Sequence, residues 1–163
     1  MSAVHAVFLD PDTKAPPSGT SIIGDDDIVH AWPLVYKALR TVVHNADETM
    51  PDVYTSLMEK ETQLLVHVEE GMLEVAAIVE ATKVGEKLCL IIRHLASIGL
   101  KPWRDGYVLV EKWAKEQGLD SVVLIRSRAR WENIMKPLGY NVVVKSLTNN
   151  KDELDIIVME KDL

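Results

Sequence analysis

The chain has 163 residues, of which 47% are hydrophobic and 26% charged, a mixture typical of one globular domain and too apolar for a disordered protein. The single Cys89 excludes an internal disulfide and a multi-cysteine zinc site. The net charge of -7 argues against general nucleic-acid binding and against binding to anionic membranes. The longest apolar runs, such as residues 88–92, are too short to span a bilayer, so we expect a soluble, reducing, cytoplasmic setting.

The N-terminal residues predict a short strand followed by a loop. Residues 3–9 are mostly apolar, whereas residues 10–19 hold three of the seven prolines together with glycine and serine. The predicted domain organisation is therefore an N-terminal strand/loop appendage at residues 1–20 and a single domain at residues 21–163.

Two helices are predicted next. Apolar residues from Ile28 to Val42 recur at close to helical spacing, and the acidic run at residues 25–27 would supply an N-cap and interact favourably with the helix dipole. Pro33 removes a hydrogen bond unless it lies in the first turn, which favours a helix start nearer Ala31. A second, shorter helix is predicted over residues 52–60.

The period then changes to that of strands. Strands are predicted at residues 63–69, 73–84, 87–96, 121–127, 141–147 and 154–160, with helices at residues 103–117 and 131–135. The first three strands read as an antiparallel meander, and the strand–helix–strand unit after it demands a parallel pair. The predicted fold class is therefore α+β, a mixed sheet with flanking helices. Strand ends and a helix N-terminus meet where the antiparallel meander gives way to the parallel pair, a place that suits a ligand.

Charge is distributed unevenly along the chain. Residues 93–140 contain nine basic and five acidic residues, a net of +4, so the remainder carries -11. Two interpretations of these basic residues stay open. They would either lie on solvated helix faces or form a local binding site for a small anion, such as the phosphates of a nucleotide-like cofactor.

The order of elements, together with the segment from Trp103 to Tyr140, resembles the GNAT superfamily of acyl-CoA-dependent N-acyltransferases. Gly139 and Tyr140 match the Gly-aromatic pair that ends the short helix in that family, and the resemblance spans about residues 21–161. The stretches SRARWENIMKPLGY and AWPLVYKAL are similar to a phage-encoded branch of GNAT-fold proteins. The resemblance implies a GNAT-like fold, acetyl-CoA as cofactor, and an amine on a protein or small molecule as acceptor.

The cofactor loop departs from the family pattern. The family carries the motif R/Q-x-x-G-x-G/A before its central helix. The backbone amides of this motif, together with the helix N-terminus, hold the pyrophosphate of coenzyme A. Here the stretch reads SIGLKPWRDGYV, and Trp103 stands where glycine is usual; its indole would either block the phosphates or stack on the cofactor. By resemblance, the cofactor-binding residues are Leu95, Ala96, Ser97, Gly99, Lys101, Arg104, Asp105 and Gly106.

Three residues are candidate catalytic groups. His94 has the intrinsic pKa expected of a general base, and the backbone from His94 to Ala96 would, by resemblance, polarise the thioester carbonyl. Glu69 and Glu70 lie on a predicted hairpin, where they would act through water or recognise a cationic amine. The alternatives are a satisfied, partly buried histidine and a pair of solvated hairpin acids.

The family's usual general acid is missing. Met135 stands where family members often have a tyrosine, and it has no proton to donate. Ser127 and Tyr140 are the candidate replacements. Cys89 is expected to be a core residue, and His30, His44 and His67 lack metal-ligand spacing, so no metal site is predicted.

Basic residues recur at Arg126, Arg128 and Arg130. On an extended strand this spacing places all three side chains on one face. The row would either hold a phosphate or an acidic partner, or form a solvent-facing strand edge that discourages aggregation.

Two functional interpretations remain. The first is a small acetyltransferase that binds acetyl-CoA and acetylates an amine. The second is a catalytically silent GNAT-fold phage protein that acts in the host cytoplasm by binding a host or virion protein. Neither predicts contact with nucleic acid or membrane, and a homodimer is compatible with both.

Overall fold

The architecture is taken from a computed structural model of the chain, which describes residues 4–9, 19–43, 48–98, 102–126, 130–146 and 156–163. Within these residues the strands are β1 (Val4–Val7), β2 (Gly19–Ile22), β3 (Gln63–Glu69), β4 (Met72–Val84), β5 (Lys87–Ser97), β6 (Ser121–Arg126), β7 (Asn141–Ser146) and β8 (Ile156–Asp162). The helices are α1 (Asp25–Leu39), α2 (Met50–Met58), α3 (Trp103–Glu116) and α4 (Trp131–Met135), the last continued by a 3-10 turn at Lys136–Leu138.

The strands form one mixed sheet in the order β2-β3-β4-β5-β6-β8-β7, with β1 also paired to β4. Neighbours are antiparallel except β5 and β6, which are parallel and are connected through α3. The α+β class, the antiparallel meander and the parallel strand–helix–strand unit are thus confirmed.

Apolar side chains cover both faces of the sheet. One core cluster lies under α3 and α4 and includes Leu90, Trp113 and Met135. A second cluster lies under α1 and α2 and includes Leu39 and Leu57. The sheet is therefore the middle layer of three, which explains why the central strands read as nearly continuous apolar runs.

The N-terminal strands are hydrogen bonded to the rest of the sheet. β1 pairs with β4 beyond the end of β3. The segment that follows β1 is held by the Gln63 side chain, which accepts a hydrogen bond from the Leu9 backbone N–H at 2.9 Å and donates one to the Leu9 carbonyl at 2.8 Å. The sequence predicted β1 but missed β2, which pairs with β3. The domain boundary at residue 20 stays a prediction.

Helix α1 begins at Asp25, so the predicted start nearer Ala31 is wrong. Pro33 lies inside the helix, where it denies the Val29 carbonyl its usual donor; Val29 is on the exposed side of the helix. Burial of Ile28 and Leu39 outweighs that loss. The acidic run occupies the first turn as expected, but Gly24 is the N-cap and supplies no side-chain bond.

No helix in the described parts of the chain combines the length and the apolar character that crossing a membrane requires.

Candidate functional site

The two parallel strands at the centre of the sheet part from each other. Cys89 to Ile92 of β5 pair with Ser121 to Leu124 of β6, after which β5 runs on to Ser97 without further pairs to β6 among the described residues. The edge of β5 beyond Ile92 therefore keeps backbone groups that β6 does not use. The strands part at this point, which is the junction where the sequence predicts a ligand, and the region between their ends is called the crevice below.

A β-bulge determines which side chains of β5 point to each face of the sheet beside the crevice. Arg93 is the extra residue in β5, inserted where the register with β4 shifts. After it, His94 and Ala96 point to the α1/α2 side of the sheet, whereas Leu95 and Ser97 point to the α3 side. A strand without the bulge would have placed His94 on the opposite face.

Helix α3 approaches the end of β5 closely at Gly106. A Cβ atom at this position would lie 2.8 Å from Leu95 Cδ2 and 2.8 Å from Ser97 Oγ, so only glycine fits without a shift. The Ser97 hydroxyl is buried and has no hydrogen-bond partner among the described residues. Pro102 is the N-cap of α3 and gives no side-chain bond to the first-turn amides.

These features fit a group that carries phosphates and amides, as coenzyme A does. The buried Ser97 hydroxyl needs a polar partner, the uncapped N-terminus of α3 attracts anions, and Arg104 is exposed beside it. Asp105, also exposed in the first turn, opposes this attraction through its negative charge. Of the predicted cofactor-binding residues, Gly99 and Lys101 lie outside the described residues.

An aromatic and cationic cluster lies at the mouth of the crevice. The Trp103 indole packs edge-on against Tyr107, at 5.8 Å between ring centroids, and against Trp131 of α4, at 6.2 Å. The Arg126 guanidinium lies 5.1 Å from the Trp131 ring and donates to the Tyr107 hydroxyl at 2.6 Å and to the Ile92 carbonyl at 3.1 Å. Trp103 therefore links the starts of α3 and α4 above the end of β6.

The predicted row of three arginines is not one face of a strand. β6 ends at Arg126, and Arg130 has helical backbone angles (φ -58°, ψ -23°) as the residue before α4. Alternation of side chains requires extended backbone throughout, so the prediction is wrong for Arg130. Arg128 and Ser127 lie outside the described residues.

His94 is paired with a carboxylate that sequence reasoning did not single out. Its Nε2 lies 3.3 Å from Glu48 Oε2, within ion-pair distance but without hydrogen-bond geometry, and the imidazole side chain is only 7% exposed. The contact with His94 lowers the pKa of the Glu48 carboxyl, and Arg93 acts in the same direction against partial burial. Glu48 is positioned by the start of α2, where Thr49 and Asp52 form a reciprocal capping box.

An acidic cavity of about 310 Å³ opens beside this pair, on the α1/α2 side of the sheet. Its lining residues are Glu48, Asp52, Ser56, Glu61, Thr62, Glu80 and Arg93. Four carboxylates thus face one guanidinium, and Arg93 is already bonded to Glu80 at 3.0 Å. The remaining negative charge favours a cationic ligand.

The fold does not bring Glu69 and Glu70 to His94. Glu69 pairs with Met72, whereas His94 pairs with Ile78, which lies opposite Leu64, five positions from Glu69 along β3; this corresponds to about 17 Å. Glu69 instead bonds to His67 Nε2 at 2.9 Å, and Glu70 occupies the hairpin turn with φ 50°. The catalytic roles of both glutamates stay predictions.

His67 lies in a small group of ligand-type side chains that sequence spacing did not reveal. Ligand atoms of His67, Glu69 and Glu74 lie within 4.8 Å of one another, and Thr20 Oγ1 is 2.8 Å from His67 Nδ1. The pairing of β3 with β4 brings them together. The expectation that the protein has no metal stays a prediction.

Tyr140 is engaged by a carboxylate of α3. It is fully buried, and its hydroxyl donates to Glu111 at 3.2 Å, while Lys161 bonds to the other oxygen of the same carboxylate. Burial, and then the negative charge of Glu111, raise the pKa of Tyr140. Met135 is buried in the core and Cys89 is buried within β5. The Tyr140 proton is thus held by a structural contact.

Solved structures with the same architecture include several acetyltransferases. The ribosomal-protein-S18-alanine N-acetyltransferase of Escherichia coli superposes with a TM-score of 0.60 at 17% identity, covering 89% of this chain and 93% of that one. A Bacillus subtilis acetyltransferase in complex with CoA gives 0.54 at 13% identity over 100% and 99%. Arabidopsis thaliana Naa50, bound to the bisubstrate analogue CoA-Ac-MVNAL, gives 0.54 at 14% identity over 89% and 99%.

These likenesses identify the fold as that of the GNAT acetyltransferases, which the sequence predicted. At such low sequence identities the likenesses establish the fold only, and the activity of this chain has to be argued from its own residues. No protein-family model matches the sequence, and no curated protein matches it.

Proposed function

We propose that this protein is an acyl-CoA-dependent N-acyltransferase that modifies a cationic amine. The observation that carries the proposal is the crevice between β5 and β6, with the N-terminus of α3 packed through Gly106 against the end of β5, which pairs with β4 but not with β6. Acyl transfer needs a thioester and an amine held together, and such positioning contributes about 7–11 kcal/mol in favourable cases.

The α3 side of the crevice would hold the coenzyme. The first-turn amides of α3 and the exposed Arg104 offer positive charge to its phosphates, and the buried Ser97 hydroxyl offers a hydrogen bond to one of its amides. The backbone from His94 to Ala96 would orient the thioester carbonyl. When bound, the coenzyme supplies the activated acyl group.

The α1/α2 side would receive the acceptor. The carboxylates of the acidic cavity attract an ammonium group, and Glu48 links the cavity to His94. An ammonium acceptor would first give one proton to solvent, which frees the nitrogen lone pair. The nitrogen–carbon bond would then form as the carbon–sulfur bond breaks, with the second nitrogen proton passing by way of Glu48 to His94 Nε2 and the departing sulfur taking a proton from solvent. Because its pKa is lowered, Glu48 stays ionised and can stabilise the positive charge that His94 gains with the proton.

The test is thiol release from acetyl-CoA with spermidine as the acceptor. We expect His94→Gln and Glu48→Gln to lower kcat by about 100-fold or more, the range for a general base. His67→Gln is the matched control, since His67 is as buried as His94 and lies outside the crevice. Equal rates for His94→Gln and the parent would remove His94 as base, and an inactive parent that binds no acetyl-CoA would overturn the transferase proposal.

A second candidate is a catalytically silent protein that binds a host or virion protein. The contact between Trp103 and Trp131 favours it, because the two indoles must separate before a coenzyme can lie between α3 and α4. Under this alternative, acetyl-CoA gives no calorimetric heat at millimolar concentration for the parent or for Trp103→Ala.

A further inference from the structure

Arg126 is a half-buried cation without a carboxylate partner among the residues that the structure describes. Other described basic groups near the sheet have one: Arg93 pairs with Glu80, Lys161 with Glu111, and Lys87 with Asp162. Arg126 contacts neutral groups instead, namely two backbone carbonyls, the Tyr107 hydroxyl and the face of Trp131. A half-buried charge of this kind is stabilised further by a bound anion.

The contacts of Arg126 leave adjacent donors for that anion. Nη1 donates to the carbonyls of Ile92 and Ile125, at 3.1 and 2.9 Å, and Nη2 donates once, to Tyr107 at 2.6 Å. No described residue accepts from the Nε–H, and one of the two Nη2–H groups is also left over; the two free donors are neighbours when Tyr107 takes the Nη2–H on the far side from Nε. A carboxylate takes such neighbouring donors as a bidentate pair, and the ring of Trp131 holds the plane of the guanidinium.

The position of the guanidinium relates this anion to the acyl group. Arg126 is bonded to the carbonyl of Ile92, the last β5 residue paired with β6. His94 follows across the bulge and pairs with the next residue of β4, which is about 3–4 Å along the sheet. If the thioester carbonyl lies at the backbone of His94 to Ala96, as the proposed function holds, a short acyl chain extending toward the point where the strands part ends at Arg126.

We propose that Arg126 binds the terminal carboxylate of the acyl group, so that the preferred donor is a dicarboxylic acyl-CoA such as succinyl-CoA. This inference rests on the proposed function. Tyr107 and Trp131 act as positioning residues that fix the guanidinium at the end of the crevice. An acetyl group has no terminal carboxylate, so it would leave the Arg126 guanidinium without a bound anion.

The test is calorimetric titration with CoA, acetyl-CoA and succinyl-CoA. We expect the parent to bind succinyl-CoA about 10- to 100-fold more tightly than acetyl-CoA, the value of a charge-assisted hydrogen bond to a carboxylate. Arg126→Gln should abolish this preference and keep acetyl-CoA binding, whereas Arg126→Lys should reduce the preference, because lysine retains the charge and lacks the fork. Arg40→Gln, at the exposed end of α1, is the control and should keep it.

Three results would overturn the inference. Equal affinities of the parent for acetyl-CoA and succinyl-CoA would show that the acyl end does not reach Arg126. An equal loss for all three compounds in a folded Arg126→Gln protein would assign Arg126 to the coenzyme phosphates. Absence of binding for all three compounds in the parent would overturn the proposed function, and this inference with it.

Discussion

Replacing Gly106 by alanine would add a methyl group where α3 meets β5. The new Cβ would lie 2.8 Å from both Leu95 Cδ2 and Ser97 Oγ, closer than an ordinary van der Waals contact. Overpacking of this kind costs about 1–3 kcal/mol, and the gain in helix propensity offsets about 1 kcal/mol of it. Both neighbouring atoms end side chains that can shift a little, so we expect a net loss of about 1 kcal/mol in the free energy of unfolding, or a Tm about 2–4 °C lower.

The Ser97→Ala variant provides the matching half of a double-mutant cycle. It removes one of the two close atoms together with a buried hydroxyl that has no described partner, so by itself it should leave the stability unchanged or raise it by up to about 1 kcal/mol. In combination with Gly106→Ala it should recover part of the lost stability.

Chemical unfolding measures the stabilities, and calorimetry with acetyl-CoA measures the functional consequence. Ser97→Ala should weaken acetyl-CoA binding by about 2- to 10-fold, the value of one hydrogen bond. Two results together would refute the close approach of α3 to β5. They are a Gly106→Ala protein more stable than the parent by the full helix-propensity gain, and an affinity for acetyl-CoA equal to that of the parent.

The remaining predictions concern the ionised pairs and the core. The pKa of the Glu48 carboxyl, followed by NMR, should rise toward its ordinary value in His94→Gln. Because this pKa is lowered in the folded protein, the contact stabilises the parent at any pH above the ordinary pKa of a glutamate. That stabilisation is lost as the pH falls through the lowered pKa. Lys161→Met should lower the free energy of unfolding by about 2 kcal/mol, since Glu111 is left charged and buried, and adding Glu111→Gln should restore most of it; no recovery would contradict the pairing. Leu90→Ala should cost about 2–5 kcal/mol in urea unfolding, as expected for a fully buried leucine, and a loss below about 1 kcal/mol would place it outside the core.

Most of the fold follows from patterns that are local in the sequence. The apolar runs in β5 and β6 each predict their own strand, a helix is predicted between them, and the crossover rule makes the two strands parallel. β2 was missed because it has only four residues and follows a proline-rich stretch. The start of α1 was misplaced because burial of its apolar face outweighs the one hydrogen bond that Pro33 removes.

The site could be predicted only in part, because its contacts join distant segments. His94 and Glu48 are 46 positions apart, and the bulge at Arg93, which turns His94 toward Glu48, leaves no signal in the apolar pattern. The capping box at Thr49 was the available signal near Glu48. The bond of Arg126 to the Ile92 carbonyl depends on how the two strands part, which the spacing of arginines does not report.

The central claim is that the crevice between β5 and β6 receives a coenzyme, and amide-resolved NMR during a titration with CoA tests it most directly. We predict saturable shifts for the amides of Ser97 and Gly106 and for the indole N–H of Trp103, with β7 unaffected. Spectra that stay unchanged at millimolar CoA, or shifts confined to residues away from these three, would contradict the claim.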